Sequence, residues 1–216
     1  MKFDAVIFDL DGTLMNTLGD IRNAANSAMD VFGLPRHSID AVRMFVGNGV
    51  GALMRRALPA DASDADIAKA LAAFKAYYDT HLDVETCPYP GVMEMLKKLN
   101  SAGLKVCVNS NKYDGAVQRL CRSHIDGLYF KAAGESESNP RKPDPTAALK
   151  LAAACGARPE RTLYVGDSNV DIHTAANAGM TAAWVSWGFR SREDMGDELP
   201  ENCFDTPEEL TRFILG

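Results

Sequence analysis

The chain has 216 residues, 46% hydrophobic and 24% charged, which suits one large domain, or a core with a smaller inserted unit, and is long enough to bury a sizeable core. Its net charge of −6 argues against a dedicated nucleic-acid binder but not against an anionic substrate, because a metal ion and one or two cations reverse a local field. Five scattered cysteines without a CxxC pair argue against a disulfide framework or zinc site; with no signal-peptide pattern and no apolar run long enough for a bilayer, the sequence predicts a cytoplasmic protein with no membrane partner.

The first element is "DAVIFDL", a short buried strand that runs directly into Asp9, Leu10, Asp11, Gly12 and Thr13. Helical patterns follow. In "DIRNAANSAMDVFG", Ile21, Ala24, Ala25, Ala28 and Val31 share one face, and the pattern stops at Gly33-Leu34-Pro35. "GALMRRAL" and "DADIAKALAAFKAYYDTHL" continue it, which predicts an all-helical insertion over residues 15–82 within a core of 1–14 and 83–216. After "CPYPG", helix and strand alternate. The helix "GVMEMLKKLNSAG" leads to a strand at 104–110, then helix "YDGAVQRLCRS", strand "LYFKAA" and helix "PTAALKLAAACG". Strand "TLYVGD", helix "VDIHTAANAG" and strand "TAAWVSW" complete the series, while "GESESNPRKPDP" reads as a polar surface loop. This order predicts βαβ units and a parallel sheet of the α/β class.

Ligands of open parallel sheets bind beyond the carboxyl ends of the strands. Asp9 with Asp11, Ser110 with Asn111, and Asp167 with Asp171 all fall at such ends, and Lys142 lies in the loop after another strand. Asp9, Asp11 and Asp167 would repel one another in an empty pocket; a hard divalent cation resolves this, and oxygen ligands with open positions suit magnesium. A carboxylate can attack phosphorus to give an acyl phosphate, and a second can protonate the departing oxygen and then activate water. Gly12 lets the backbone turn between them and the next element. Ser110 and Asn111 offer a hydroxyl and amide donors to phosphoryl oxygens, and Lys142 offers a point charge. Each feature has a simpler reading alone: a surface turn for Asp-x-Asp, a helix cap for "GDSNVD" or for Ser110 and Asn111, a solvated loop lysine for Lys142. All four in this order, each at a strand exit, are hard to dismiss together.

The sequence resembles the haloacid dehalogenase superfamily of phosphotransferases over nearly the whole chain, through "DLDGT", "VNSNK", "RKPDP" and "GDSNVD". Within it, "VGNGVGALM" in the helical insertion, "SNK" and "VSWGFRS" are similar to the phosphoglycolate phosphatase-like branch. The resemblance implies a Rossmann-like core with a helical cap, Asp9 as nucleophile and Asp11 as general acid and base. It implies magnesium held by the Asp9 carboxylate, the Asp11 backbone carbonyl and Asp167, with Asp171 supporting the metal shell, and Ser110, Asn111 and Lys142 on the transferring phosphoryl group. Asp11 itself argues against carbon–halogen cleavage, which needs no such acid. Two departures stand out: Asn16-Thr17 replaces the usual Asp-Ser after "DGTL", and Asn109 is polar where an apolar strand residue is usual.

The expected function is hydrolysis of a small phosphate monoester, phosphoglycolate foremost, by a monomer or homodimer. An inorganic pyrophosphatase or a sugar-phosphate mutase would use the same groups. A receiver-like signalling domain also has acids, a hydroxyl and a lysine around magnesium, but neither the insertion nor an Asp11-like acid; a catalytically dead interaction module would not keep every required group. "GNGVGA" (Gly47, Gly49, Ala52) fits a dinucleotide fingerprint only formally, since helical patterns flank it. Arg55 and Arg56 read as a solvated helix face, His37, His81, His124 and His173 as structural or surface residues, and Trp184 and Trp187 as packing of the last strand.

Overall fold

In the computed structural model, which describes residues 2–216, the four residues AVIF form β1 (Ala5–Phe8), buried throughout as a strand covered on both faces must be. A tight turn and the short β2 (Met15–Asn16) follow. The chain then forms α1 (Leu18–Val31), α2 (Ile39–Phe45), α3 (Gly49–Ala57) and α4 (Asp64–His81), and returns through β3 (Cys87–Pro88). From there helices and strands alternate: α5 (Val92–Ser101), β4 (Lys105–Tyr113), α6 (Asp114–His124), β5 (Lys131–Glu135), α7 (Thr146–Ala154) and β6 (Thr162–Gly166). α8 (Asn169–Ala178), β7 (Thr181–Val185), α9 (Arg192–Met195), β8 (Cys203–Phe204) and α10 (Pro207–Leu215) complete it.

Six strands make one parallel sheet in the order β5-β4-β1-β6-β7-β8. The order runs outward in both directions from β1, so β1 with its neighbours β4 and β6 is the switch point where loops diverge and a crevice opens. Register sets the three exits level, since Phe8 lies opposite both Val108 and Val165. Asp9 follows on β1, Asp167 lies two residues past Val165, and Ser110 two past Val108. Asp9 N–H still donates to the Val165 carbonyl at 2.8 Å, which fixes the backbone where the strand ends.

The chain divides into two compact units, residues 1–16 with 88–216, and residues 17–87. The second unit is helical: α1 packs on α4 and α2, and α3 packs on α4. It starts and ends later than the expected 15–82, for a physical reason. The buried Asp20 carboxylate accepts the backbone N–H groups of Val84, Glu85 and Thr86 at 2.9–3.1 Å and the Thr86 hydroxyl at 2.8 Å, so the exit segment belongs to this unit.

Several elements differ from the sequence reading or were absent from it. β4 continues to Tyr113, through a register shift after Asn109, so "SNK" lies within the strand. β5 begins at Lys131, because Leu128 closes a turn onto the Ile125 carbonyl. α2 is an added short helix, capped by Ser38. The tail after "VSW" forms α9, β8 and α10, with β8 extending the sheet past β7. Among the described residues no helix is long and apolar enough to cross a membrane.

Candidate active site

The turn after β1 is built by its sequence. The Leu14 and Met15 N–H groups both return to the Leu10 carbonyl, and the Gly12 N–H donates to the Met15 carbonyl. Gly12 has φ +91°, and a Cβ there would lie 2.4 Å from an Asp167 carboxylate oxygen. The same crowding recurs at Gly188 in the loop after β7, where a Cβ would lie 2.3 Å from both Asp167 Cβ and the Gly12 carbonyl. Backbone from two loops thus closes directly on Asp167. Trp184 Nε1–H donates to the Asp167 carbonyl, and Trp187 Nε1–H to the Thr13 carbonyl, so both tryptophans brace site backbone as well as packing.

Asp9, Asp167 and Asp171 bring carboxylate oxygens within 4.8 Å of one another, all three buried. The Lys142 ammonium stands among them, 2.7 Å from Asp9 Oδ1 and 2.7 Å from Asp171 Oδ1. Burial alone would favour loss of its proton, but Asp171 and Asp9 more than offset this and hold its pKa well above the usual lysine value. One ammonium does not balance three carboxylates. Burial therefore pushes the Asp9 carboxyl well up, against the pull of Lys142, and Asp171 and Asp167 push in the same direction as burial. Burial and then Asp171 raise Asp167 to about 7, although the Phe189 N–H at 2.6 Å favours its charged form. Excess negative charge in a dry pocket is the condition that a divalent cation relieves, and the donor set is all oxygen.

Within that set the carboxylates are not equivalent. Asp171 is engaged at both oxygens, at Oδ1 by Lys142 and at Oδ2 by the Ser168 hydroxyl (2.6 Å) and N–H (3.2 Å) at the start of α8. It suits support of the pocket more than direct ligation. The sequence reading grouped the carboxylate of Asp11 with those of Asp9 and Asp167, whereas the structure turns it elsewhere. Its Oδ2 accepts the Ser110 hydroxyl at 3.2 Å, and its Oδ1 lies 2.9 Å from the Lys112 ammonium. Asp9 and Asp11 side chains therefore pair with different buried lysines, Lys142 and Lys112.

Lys142 was read as a loop residue, and its backbone does lie in the loop before α7, but its side chain is buried. Asn111 holds it there: its Oδ1 accepts the Lys142 N–H at 2.7 Å, and its Nδ2 donates to the Lys142 carbonyl at 3.2 Å. The Asn111 side-chain amide, expected on phosphoryl oxygens, is thus engaged in placing Lys142. Asn109 is also accounted for: its Nδ2 donates to the buried Tyr164 hydroxyl on β6 at 3.0 Å, a polar pair inside the sheet.

Sequence reasoning missed Lys112 and Gly188. The first stood two residues past Ser110, so the period of a strand would have placed both on one face had β4 been extended to Tyr113. The second carried no local signal, because its neighbour Asp167 is distant in sequence. Of the residues set aside, Arg55 pairs with Asp64 on an exposed helix surface, Arg56 donates to the Phe45 carbonyl, and the "GNGVGA" stretch opens α3 with α2 before it.

The sequence profile of the haloacid dehalogenase-like hydrolases matches residues 6–185. Phosphoglycolate phosphatase 1 of Pseudomonas aeruginosa is 35% identical over 212 residues, 95% of this chain and 77% of that protein. The phosphoglycolate phosphatase of Mannheimia succiniciproducens is 32% identical over 99% of both chains. The crystal structure of a candidate phosphoglycolate phosphatase from Lactobacillus delbrueckii subsp. bulgaricus is similar with a TM-score of 0.96 at 32% identity, over 100% of both chains.

Proposed function

The chain belongs to the haloacid dehalogenase-like hydrolase family, and on that premise we propose that it is a magnesium-dependent phosphatase of a small phosphate monoester, with phosphoglycolate the leading substrate. The observation that carries this reading is the buried cluster of Asp9, Asp167 and Asp171 around Lys142, beside an independently held Asp11, at the carboxyl ends of adjacent strands.

In the first half of the reaction, a carboxylate oxygen of Asp9 attacks phosphorus, the P–O bond to the alcohol breaks, and Asp11 gives its proton to the leaving oxygen. In the second half, Asp11 takes a proton from water, the water oxygen attacks phosphorus, and the Asp9–phosphorus bond breaks to release phosphate. Lys142 pulls Asp9 toward its ionised form and directs it, and its charge offsets that developing on the phosphoryl oxygens. The Ser110 hydroxyl proton goes to Asp11 Oδ2, so a bound phosphoryl group would compete for it, and Asn111 acts through Lys142. Asp9, Asp167 and the Asp11 backbone carbonyl would hold Mg2+, with Asp171 in support; the ion supplies charge neutralisation that lets an anionic nucleophile meet an anionic phosphate.

The substrate is a small phosphorylated metabolite, and the protein acts in the cytoplasm as a monomer or homodimer. A panel of phosphorylated metabolites, assayed for free phosphate, tests the reading. Phosphoglycolate should be hydrolysed, EDTA should stop phosphate release, and added magnesium should restore it. An isomerised sugar phosphate in place of free phosphate would assign a mutase instead, and pyrophosphate as the one hydrolysed compound would assign a pyrophosphatase. Full activity after thorough chelation would rule out the metal.

A further inference from the structure

The chemistry above leaves one buried cation without a task. Lys112 has a side chain only 6% exposed and pairs with Asp11, whereas Lys142 pairs with Asp9 and Asp171. The Lys112 ammonium stands 2.9 Å from Asp11 Oδ1. Ser110, two residues earlier on β4, donates its hydroxyl to Asp11 Oδ2 at 3.2 Å. The Lys112 backbone N–H donates to that same hydroxyl at 3.1 Å, which occupies a lone pair and leaves the hydroxyl proton for Asp11. Lys112 therefore meets Asp11 twice, directly through its ammonium and indirectly through Ser110.

We propose that Lys112 is a positioning residue for Asp11: with Ser110 it clamps the two carboxylate oxygens and fixes the direction in which Asp11 exchanges its proton. The inference rests on the reading of Asp11 as proton donor and acceptor. The need for a clamp follows from local structure. Backbone hydrogen bonds hold the turn that carries Asp11, but they do not fix the direction of its carboxylate. The Lys112 stem issues from the last residues of β4 and is buried. A buried ammonium deprived of its carboxylate is costly, so the pair holds both members in place. Proton transfer requires heavy atoms within about 2.6–3.2 Å, and a misplacement of about 1 Å can cost roughly 10²-fold.

The test compares wild type, Lys112→Met, Lys112→Arg, Asp11→Asn and the double variant Asp11→Asn/Lys112→Met. Each is assayed on phosphoglycolate and on p-nitrophenyl phosphate, whose leaving group needs little protonation. Lys112→Met should lower kcat on phosphoglycolate by about 10–100-fold, the usual range for a residue supporting a reacting group, with KM little changed. It should impair the p-nitrophenol burst much less. Lys112→Arg, which keeps the charge, should recover a large part of the loss. In the Asp11→Asn background, Lys112→Met should cost nothing further, because a residue that acts only through Asp11 has no effect once Asp11 is gone.

A loss of the same size in both backgrounds would overturn the proposal and place Lys112 on the substrate itself, as would a raised KM with kcat intact. Should Lys112→Met fail to fold, Lys112→Gln replaces it in every comparison, and the double variant, with both charges of the pair removed, retains the fold. Asp11→Asn without any dependence on the leaving group would instead sink the reading of Asp11, a result distinct from a failure of the clamp.

Discussion

At its amino end β1 is preceded by Asp4, which accepts two hydrogen bonds from the Arg161 guanidinium, each at 2.7 Å. At its carboxyl end β1 is followed by Asp9, which accepts one from Lys142, also at 2.7 Å. Length and charge are alike; surroundings are not. The Arg161 and Asp4 side chains are 38% and 46% exposed, whereas those of Lys142 and Asp9 are 5% and 8% exposed. Water screens the first pair, and the Arg161 hydrogen bonds draw the Asp4 carboxyl below its ordinary value. Desolvation dominates the second and pushes the Asp9 carboxyl up. Exposed pairs contribute little to stability, and buried ones with unbalanced charge cost stability unless something else binds. The unbalanced buried charge thus lies at the carboxyl end of β1, and the screened pair at its amino end.

The largest expected effect falls at Asp9. Asp9→Asn keeps the shape of the side chain but removes the proposed nucleophile, so phosphate release should fall to background while the circular dichroism spectrum is unchanged. Because the substitution also removes a desolvated charge, its thermal midpoint in EDTA should not drop; a large drop would mean that the pair with Lys142 stabilises the fold after all.

Next comes Gly188→Ala. A Cβ at this position would lie 2.3 Å from the Gly12 carbonyl and from Asp167, so one or both loops must move. Turnover should fall by about 10²-fold, the cost of a misplacement of about 1 Å. The rise in midpoint given by magnesium should shrink with it. Wild-type turnover in Gly188→Ala would show that the two loops are slack and that Asp167 is not held by them.

A smaller effect follows from Asp167. Its folded pKa is raised from 3.8 to about 7, so the neutral form is favoured in the metal-free fold. Its contribution to stability is present below the unfolded value and is lost as pH rises through about 7. Magnesium binds the ionised carboxylate, so protons compete with it. Melting curves with EDTA and with magnesium should therefore diverge more at pH 8 than at pH 6. Equal separation at both values would contradict the electrostatic description of the pocket.

The smallest effect belongs to the other end of β1. Arg161→Ala should leave kcat unchanged and shift the melting midpoint by no more than about 2 °C. Since the Asp4 carboxyl is held low, whatever the pair contributes is present at neutral pH and lost only as pH falls into the acid range.

Much of the carboxyl end was legible in the sequence, and the legible part has a common cause. β1, β6 and β7 are short apolar runs, and α1, α5 and α8 carry helical periodicity or a glycine stop, so their identity is local. Asp9, Ser110 and Asp167 were legible as strand-exit residues; that their exits are neighbours follows from the strand order β4-β1-β6, which periodicity does not give. What was not legible depends on partners distant in the chain. Lys112 meets Asp11 because β4 runs on to Tyr113. The Asn111 amide meets the Lys142 backbone across 31 residues of sequence. Asn109 is explained by Tyr164, and Gly188 by Asp167. The short β8 and α2 have too few residues to display a period.

The central claim is that Asp9, and no water molecule, first attacks phosphorus. The most direct measurement uses Asp11→Asn mixed rapidly with p-nitrophenyl phosphate in magnesium, quenched in acid, reduced with borohydride and mapped by mass spectrometry. A burst of p-nitrophenol approaching one equivalent, with phosphate retained on the protein and homoserine found at position 9 after reduction, is the expected result. p-Nitrophenol released with free phosphate in equal amounts from the first turnover, and an unmodified Asp9, would contradict it.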